Sequence, residues 1–176
     1  MIEPLVTDLD QIKDLVQQRH DDFEVLEYLL ELHEDLKDEQ IDDWVESIAK
    51  PIITTIDCTQ CGNCCRSLDV YLTEDDVENL ATGIDVPLDS IMTHVDNESA
   101  YKVKEWGKFK SKPCGFLTGK LCSVYEHRPE TCRTYPVFTP DFRWTIGDTI
   151  EGAAICPVIY NVLVTLHQRS NELYDL

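Results

Sequence analysis

Basic side chains are scarce in this chain: 15 lysines and arginines stand against 34 aspartates and glutamates, for a net charge of −19. A surface this acidic repels nucleic acid and anionic lipid, so neither is expected as a partner. The deficit is uneven. Residues 1–50 hold 16 acidic and 4 basic side chains, a balance of −12, and residues 51–176 hold 18 and 11, a balance of −7. Such charge serves solubility, and its concentration at one end also suits docking to a basic protein partner. Long apolar runs are missing: none reaches the roughly 18 residues needed to cross a bilayer. The opening MIEPLVTDLDQIKDL has neither the basic n-region nor the apolar h-region of a secretory signal. A soluble, cytoplasmic protein is expected. Also missing are an internal repeat, a low-complexity segment and a G-x-G-x-x-G fingerprint. Thr118-Gly119-Lys120 reads as a turn, because the rest of a phosphate loop is not there.

What is present reads as an α+β protein. A chain of 176 residues suggests one domain with an appendage, and at this size burial is ample without crosslinks. Over residues 8–37, Leu9, Ile12, Leu15 and Val16, then Phe23, Leu26, Leu29 and Leu30, recur at helical spacing. The Asp21-Asp22 pair predicts a break into two helices, with one aspartate capping the second. A third helix is expected over 39–49, with Ile41, Trp44, Val45 and Ile48 on one face, and Lys50-Pro51 is expected to end it. Residues 1–50 therefore read as an acidic helical extension, and residues 51–176 as a cysteine-rich domain of short strands and helices with a C-terminal helix over 158–173. Within that domain Val70 to Leu72 predicts a strand, Thr73 a cap for a helix to about Ala81, and Pro87 the start of another helix. YKVKEW and the segments after it read as strands. Five lysines between Lys102 and Lys112 form either a basic patch or the guard of an edge strand, with the edge strand favoured. Val137 to Ile146 predicts a hairpin around Pro140-Asp141.

Eight cysteines dominate the chemistry: Cys58, Cys61, Cys64, Cys65, Cys114, Cys122, Cys132 and Cys156. Four fall inside CTQCGNCC, where helical spacing places them within an arc of about 120° and Gly62 permits a tight loop of positive φ. Thiolates are soft ligands for zinc, cuprous copper and iron–sulfur clusters, and a bound cation keeps them deprotonated and protected. A catalytic C-x-x-C dithiol would use two of the eight, and a disulfide framework does not suit a reducing compartment. A metal site explains the set best. Zinc sites commonly pair two C-x-x-C knuckles, and there is no second knuckle here. The C-x₂-C-x₂-C run matches the spacing at which ferredoxins hold an iron–sulfur cluster, and Cys156-Pro157 parallels their remote Cys-Pro ligand. Histidine is nearly absent from this region, with His127 the nearest, which fits an all-thiolate site. Iron, as an ion or a [4Fe–4S] cluster, is favoured over zinc, and both are carried forward. Adjacent Cys64 and Cys65 strain to ligate one ion, so one of them is open to a second centre or a supporting place.

Residues 113–136, PCGFLTGKLCSVYEHRPETCRTYP, hold three of the other four cysteines. Pro129 and Glu130 suit the first turn of a short helix that carries Cys132. Arg128 and Arg133 flank Cys132, placed either to offset an anionic thiolate centre or to pair with carboxylates. Tyr125, Tyr135 and Phe138 read as packing.

These pieces taken together, Cys58-x₂-Cys61-Gly62-x-Cys64-Cys65, Cys114-Gly-Phe-Leu with Gly119 and Cys122, Tyr125-x₂-Arg128-Pro129-x₂-Cys132-Arg133-x-Tyr135-Pro136 and Cys156-Pro157, resemble the YkgJ-like cysteine-cluster family. This is the zinc- or iron-chelating domain named for its CxxCxxCC motif. The resemblance spans about residues 57–157 and implies metal chelation by the cysteines. A related cysteine pattern occurs in flagellin lysine methylases, which raises the alternative of a metal-dependent enzyme. No histidine or carboxylate here has a spacing that marks a general base, which favours a binding protein over an enzyme. A third reading is an interaction protein with a structural metal.

Overall fold

The computed structural model describes residues 4–97 and 106–176. The architecture is α+β, with helices predominating and short antiparallel strands. The chain divides into two compact units, residues 1–57 with 136–176, and residues 58–135. Among the described residues, no helix is long and apolar enough to cross a membrane.

The first unit is all helix: α1 (Leu9–Gln18), α2 (His20–Leu32), α3 (Asp38–Thr55), α8 (Phe142–Gly152), α9 (Pro157–Gln168) and a 3-10 turn over Ser170–Asp175. The run from Pro157 to Leu166 is buried on every side, as expected of a helix that others surround. α1, α2, α3 and α8 all pack on α9. Its buried amide, Asn161, has no water to turn to. It accepts from Val6 N (2.9 Å) and donates to the carbonyls of Val6 (2.7 Å) and Pro157 (2.6 Å), which ties the N-terminal segment to the helix. Phe23 of α2 meets Tyr160 edge-on, with centroids 6.4 Å apart.

Three sequence expectations need correction in this unit. The break between α1 and α2 falls at Arg19, and neither Asp21 nor Asp22 caps the second helix. Both aspartates lie in its first turn, where the dipole still favours them. α3 does not stop at Lys50 but runs through Pro51 to Thr55. The lost N–H of an interior proline costs about 3 kcal/mol. Ile52 and Ile56 continue the buried stripe of Ile41, Trp44, Val45 and Ile48, and each fully buried apolar side chain returns roughly 1.5–3 kcal/mol. Finally, Pro140-Asp141 does turn the chain, but into α8 and not into a hairpin. Asp141 takes positive φ (65°), and Phe142 and Ile146 are buried at helical spacing.

The second unit contains a 3-10 turn over Cys58–Gln60, α4 (Cys64–Ser67), β1 (Tyr71–Leu72), α5 (Glu74–Gly83), α6 (Leu88–Met92), β2 (Val95–Asp96), β3 (Gly107–Phe109), β4 (Leu117–Thr118), β5 (Leu121–Cys122), a 3-10 turn over Tyr125–His127, and α7 (Glu130–Thr134). Strands β1, β3 and β2 form an antiparallel sheet in that order, and β4 and β5 a hairpin that turns at Gly119 (φ 64°). The core gathers Leu72, Val77, Leu80, Ile91, Val95, Phe109, Phe116 and Val124. Thr73 caps α5 as expected, sharing a capping box with Asp76. The lysine-guarded edge strand is corrected. Lys108 lies on β3, the central strand, and both Lys108 (3.5 Å) and Lys112 (2.9 Å) reach Asp69. Lys102 and Lys104 fall outside the described residues.

The start of α8 rests on one carboxylate. Asp42 of α3 accepts from Asp141 N through Oδ2 and from Phe142 N through Oδ1, both at 2.9 Å. Asp42→Ala leaves two donors without their partner, so a loss of about 1–3 kcal/mol is expected. That corresponds to a fall in Tm of roughly 2–10 °C. An unchanged Tm would show that the cap contributes nothing.

Candidate metal centre

The cysteine run folds as the sequence suggests, a tight loop feeding a short helix. Cys61 N (3.1 Å) and Gly62 N (3.2 Å) both donate to the Cys58 carbonyl. Gly62 has φ 62°, and a Cβ built there would stand 2.8 Å from the Lys120 carbonyl oxygen. Both facts demand glycine. α4 then presents Cys64 and Cys65 with their sulfurs 4.0 Å apart. The Arg66 guanidinium donates to the carbonyls of Cys61 (3.2 Å) and Gly62 (2.8 Å), and also to that of Gly119, joining this loop to the β4–β5 turn. The Cys65 carbonyl in turn accepts from Cys114 N at 2.8 Å. Cys122 ends β5, opposite Leu117, and Cys132 sits on α7.

These segments enclose a cavity of about 100 Å³. That is several times the roughly 10–15 Å³ one water occupies by the same measure. Six of the eight cysteines line it: Cys58, Cys64, Cys65, Cys114, Cys122 and Cys132. Cys61 is half-buried but does not line the wall. Cys156 is buried in the first unit, where it precedes α9. No histidine lines the cavity. The nearest in sequence, His127, has Nδ1 3.4 Å from the Asn79 side-chain oxygen and lays its ring against Gly83.

Four of the six have thiols shifted by their surroundings. The contact with Cys64 lowers the Cys65 thiol from its ordinary 9.0 to about 6, with Arg66 and Arg128 adding to it against the opposing effect of burial. Burial drives the other three upward. Cys114 and Cys122 are raised, and Cys132 is pushed up to about 12, helped by the charges of Cys65, Cys114 and Cys122. Every pair among Cys65, Cys114, Cys122 and Cys132 feels its partner's charge in this way. Burial and mutual repulsion disfavour four thiolates here, and a cation among them would favour them. The residues therefore fit a soft metal: all sulfur, no competing imidazole, and a cavity to hold it.

Arg128 also lines the cavity and favours ionised sulfur at Cys65, Cys122 and Cys132. Its guanidinium lies 3.6 Å from the centroid of the Tyr125 ring and donates to the Tyr125 carbonyl. Arg133 instead donates to the Arg128 carbonyl at 2.8 Å. Of the two flanking arginines, Arg128 is the one that acts on Cys65, Cys122 and Cys132.

Two supporting residues escaped sequence reasoning. Arg66 is one, since nothing in its position announces three carbonyl partners. Asp76 is the other. The sequence places it in the first turn of the helix that Thr73 caps, but neither its capping box nor its second task was read there. While Oδ2 accepts from Thr73, Oδ1 accepts from Glu130 N at 2.9 Å, so a buried carboxylate anchors the start of the helix carrying Cys132. Asp76→Asn puts a donor where an acceptor is needed. The expected result is a lower Tm and, in equilibrium dialysis, weaker metal retention by the folded protein. A destabilised protein with unchanged metal affinity would restrict Asp76 to capping α5.

Residues 57–157 match the family described as "CxxCxxCC: Putative zinc- or iron-chelating domain". No curated protein and no solved structure matches the chain. The matched residues span more than half of the sequence, and the chain belongs to this CxxCxxCC family.

Proposed function

We propose that residues 58–135 hold an iron–sulfur cluster through Cys65, Cys114, Cys122 and Cys132, with Cys58 and Cys64 as further thiols on the same wall. The supporting observation is the convergence of six cysteines, drawn from separate turns, helices and a strand, on one cavity without histidine.

The choice of iron over zinc is supported by sulfur spacing. Zinc–sulfur bonds of about 2.3 Å place tetrahedral ligands only about 3.8 Å apart. Among the described residues, no three cysteine sulfurs lie mutually within 4.8 Å. A cluster presents a separate iron to each cysteine and so accepts sulfurs held farther apart. Cys61 and Cys156 are not among the residues lining this cavity and are not part of the proposed set, although both belong to the motif.

Such a centre supplies one-electron exchange when bound. The chain's own part is to fix the thiols, to shield them with Leu68, Val70, Phe109, Phe116 and Val124 on the same cavity, and to set Arg128 beside them. Asp69, the carboxylate on the wall, is engaged by Lys112 and Lys108, which hold it below the usual carboxylate range. It is therefore a poor general base, which supports a binding or electron-carrying role over an enzymatic one.

Anaerobic purification followed by iron, zinc and acid-labile sulfide analysis tests the proposal. Brown protein with iron and sulfide in near-equal amounts is expected. Cys132→Ser should lose both, and Cys61→Ser should keep most of each. Colourless protein with stoichiometric zinc and no sulfide would overturn the cluster and leave zinc on the same thiols.

A further inference from the structure

Helix α2 carries two apolar stripes. Phe23, Leu26 and Leu30 are fully buried in the core of the first unit. Val25, Tyr28, Leu29 and Leu32 recur at the i, i+3, i+4, i+7 spacing of a second stripe. That second stripe is left to solvent. Val25 is 56%, Tyr28 65% and Leu32 57% exposed, and Tyr174 beside them is 70% exposed. Together with His33 they wall a groove of about 540 Å³.

Two further features mark the groove as unfinished. His33 Nε2 is buried and has no hydrogen-bond partner among the described residues. Glu34 and Asp35 line the same groove and Glu31 is exposed on the same helix. Among the described residues no basic side chain forms an ion pair with any of these three. Apolar surface of this extent rimmed by one sign of charge marks an interaction site, and a stripe at helical spacing complements another helix.

We propose that this groove binds a basic amphipathic helix of a partner protein, its apolar face on Val25, Tyr28, Leu32 and Tyr174 and its lysines or arginines against Glu31, Glu34 and Asp35. Anionic lipid is disfavoured by the same carboxylates. The proposal does not depend on the metal centre.

The test uses the full-length, metal-loaded protein and a fluorescent synthetic Leu/Lys amphipathic helix, read by anisotropy. A triple variant, Val25→Ser, Tyr28→Ser and Leu32→Ser, leaves the charge unchanged, so general attraction to an acidic protein survives in it. Binding to wild type is expected, with a loss of about tenfold or more in the triple variant. Almost no binding is expected for the matching Leu/Glu helix. Neutralising the rim (Glu31→Gln, Glu34→Gln, Asp35→Asn) should also weaken binding and flatten its salt dependence, and this second variant decides the matter if the first misfolds. Equal binding by the triple variant would reduce the interaction to bulk charge and overturn the proposal. Equal binding of the Leu/Glu helix would do so too. A wild-type dimer that the triple variant dissolves would assign the groove to a second copy of the chain instead.

Discussion

The convergence of six cysteines on one cavity is the feature around which the account of residues 58–135 is built. Burial opposes charge at Cys114, Cys122 and Cys132, and each thiolate raises the cost of the next. Beside these three, Cys65 is shifted downward, by its contact with Cys64 and by two arginines. A cation placed among them would reverse these penalties, which would couple metal binding to the stability of this unit. The short elements make sense in this light. Strands of two or three residues and helices of four or five bring little stability of their own. Their task is to deliver thiols, and backbone bonds such as Cys114 N to the Cys65 carbonyl and Glu130 N to Asp76 hold that delivery in register.

The first unit is built on the opposite principle. Its central helix is buried for ten consecutive residues, and its buried Asn161 amide is fully engaged. Most of the acidic excess sits on its N-terminal helices, where Glu and Asp are exposed and the apolar positions face inward. α2 departs from that rule, carrying apolar residues on its solvent side as well. A stability requirement does not explain leaving Tyr28 and Leu32 in water.

The family and its metal chelation were legible in the sequence because the cysteine motifs are local, and six of the eight cysteines meet at one cavity. The Thr73 cap and the positive φ at Gly62 were legible for the same reason, each being decided by a few neighbouring residues. What escaped was decided at a distance. Pro51 continues its helix because Ile52 and Ile56 have a core to enter. The hairpin expected at Pro140-Asp141 becomes a helix start because Asp42, nearly a hundred residues away in sequence, accepts its first N–H groups. Lys108 belongs to a central strand because β1 and β2 close on either side of it. The Cys156-Pro157 pair lies at the start of α9, with Cys156 buried just before the helix and Pro157 as its first residue.

X-ray absorption at the metal edge of the anaerobically loaded protein addresses the central claim most directly. The account predicts a first shell made of sulfur alone, with a second shell of neighbouring iron. A first shell containing nitrogen or oxygen as principal ligands would contradict it, because it would mean that the thiol cavity of residues 58–135 is not where the metal resides.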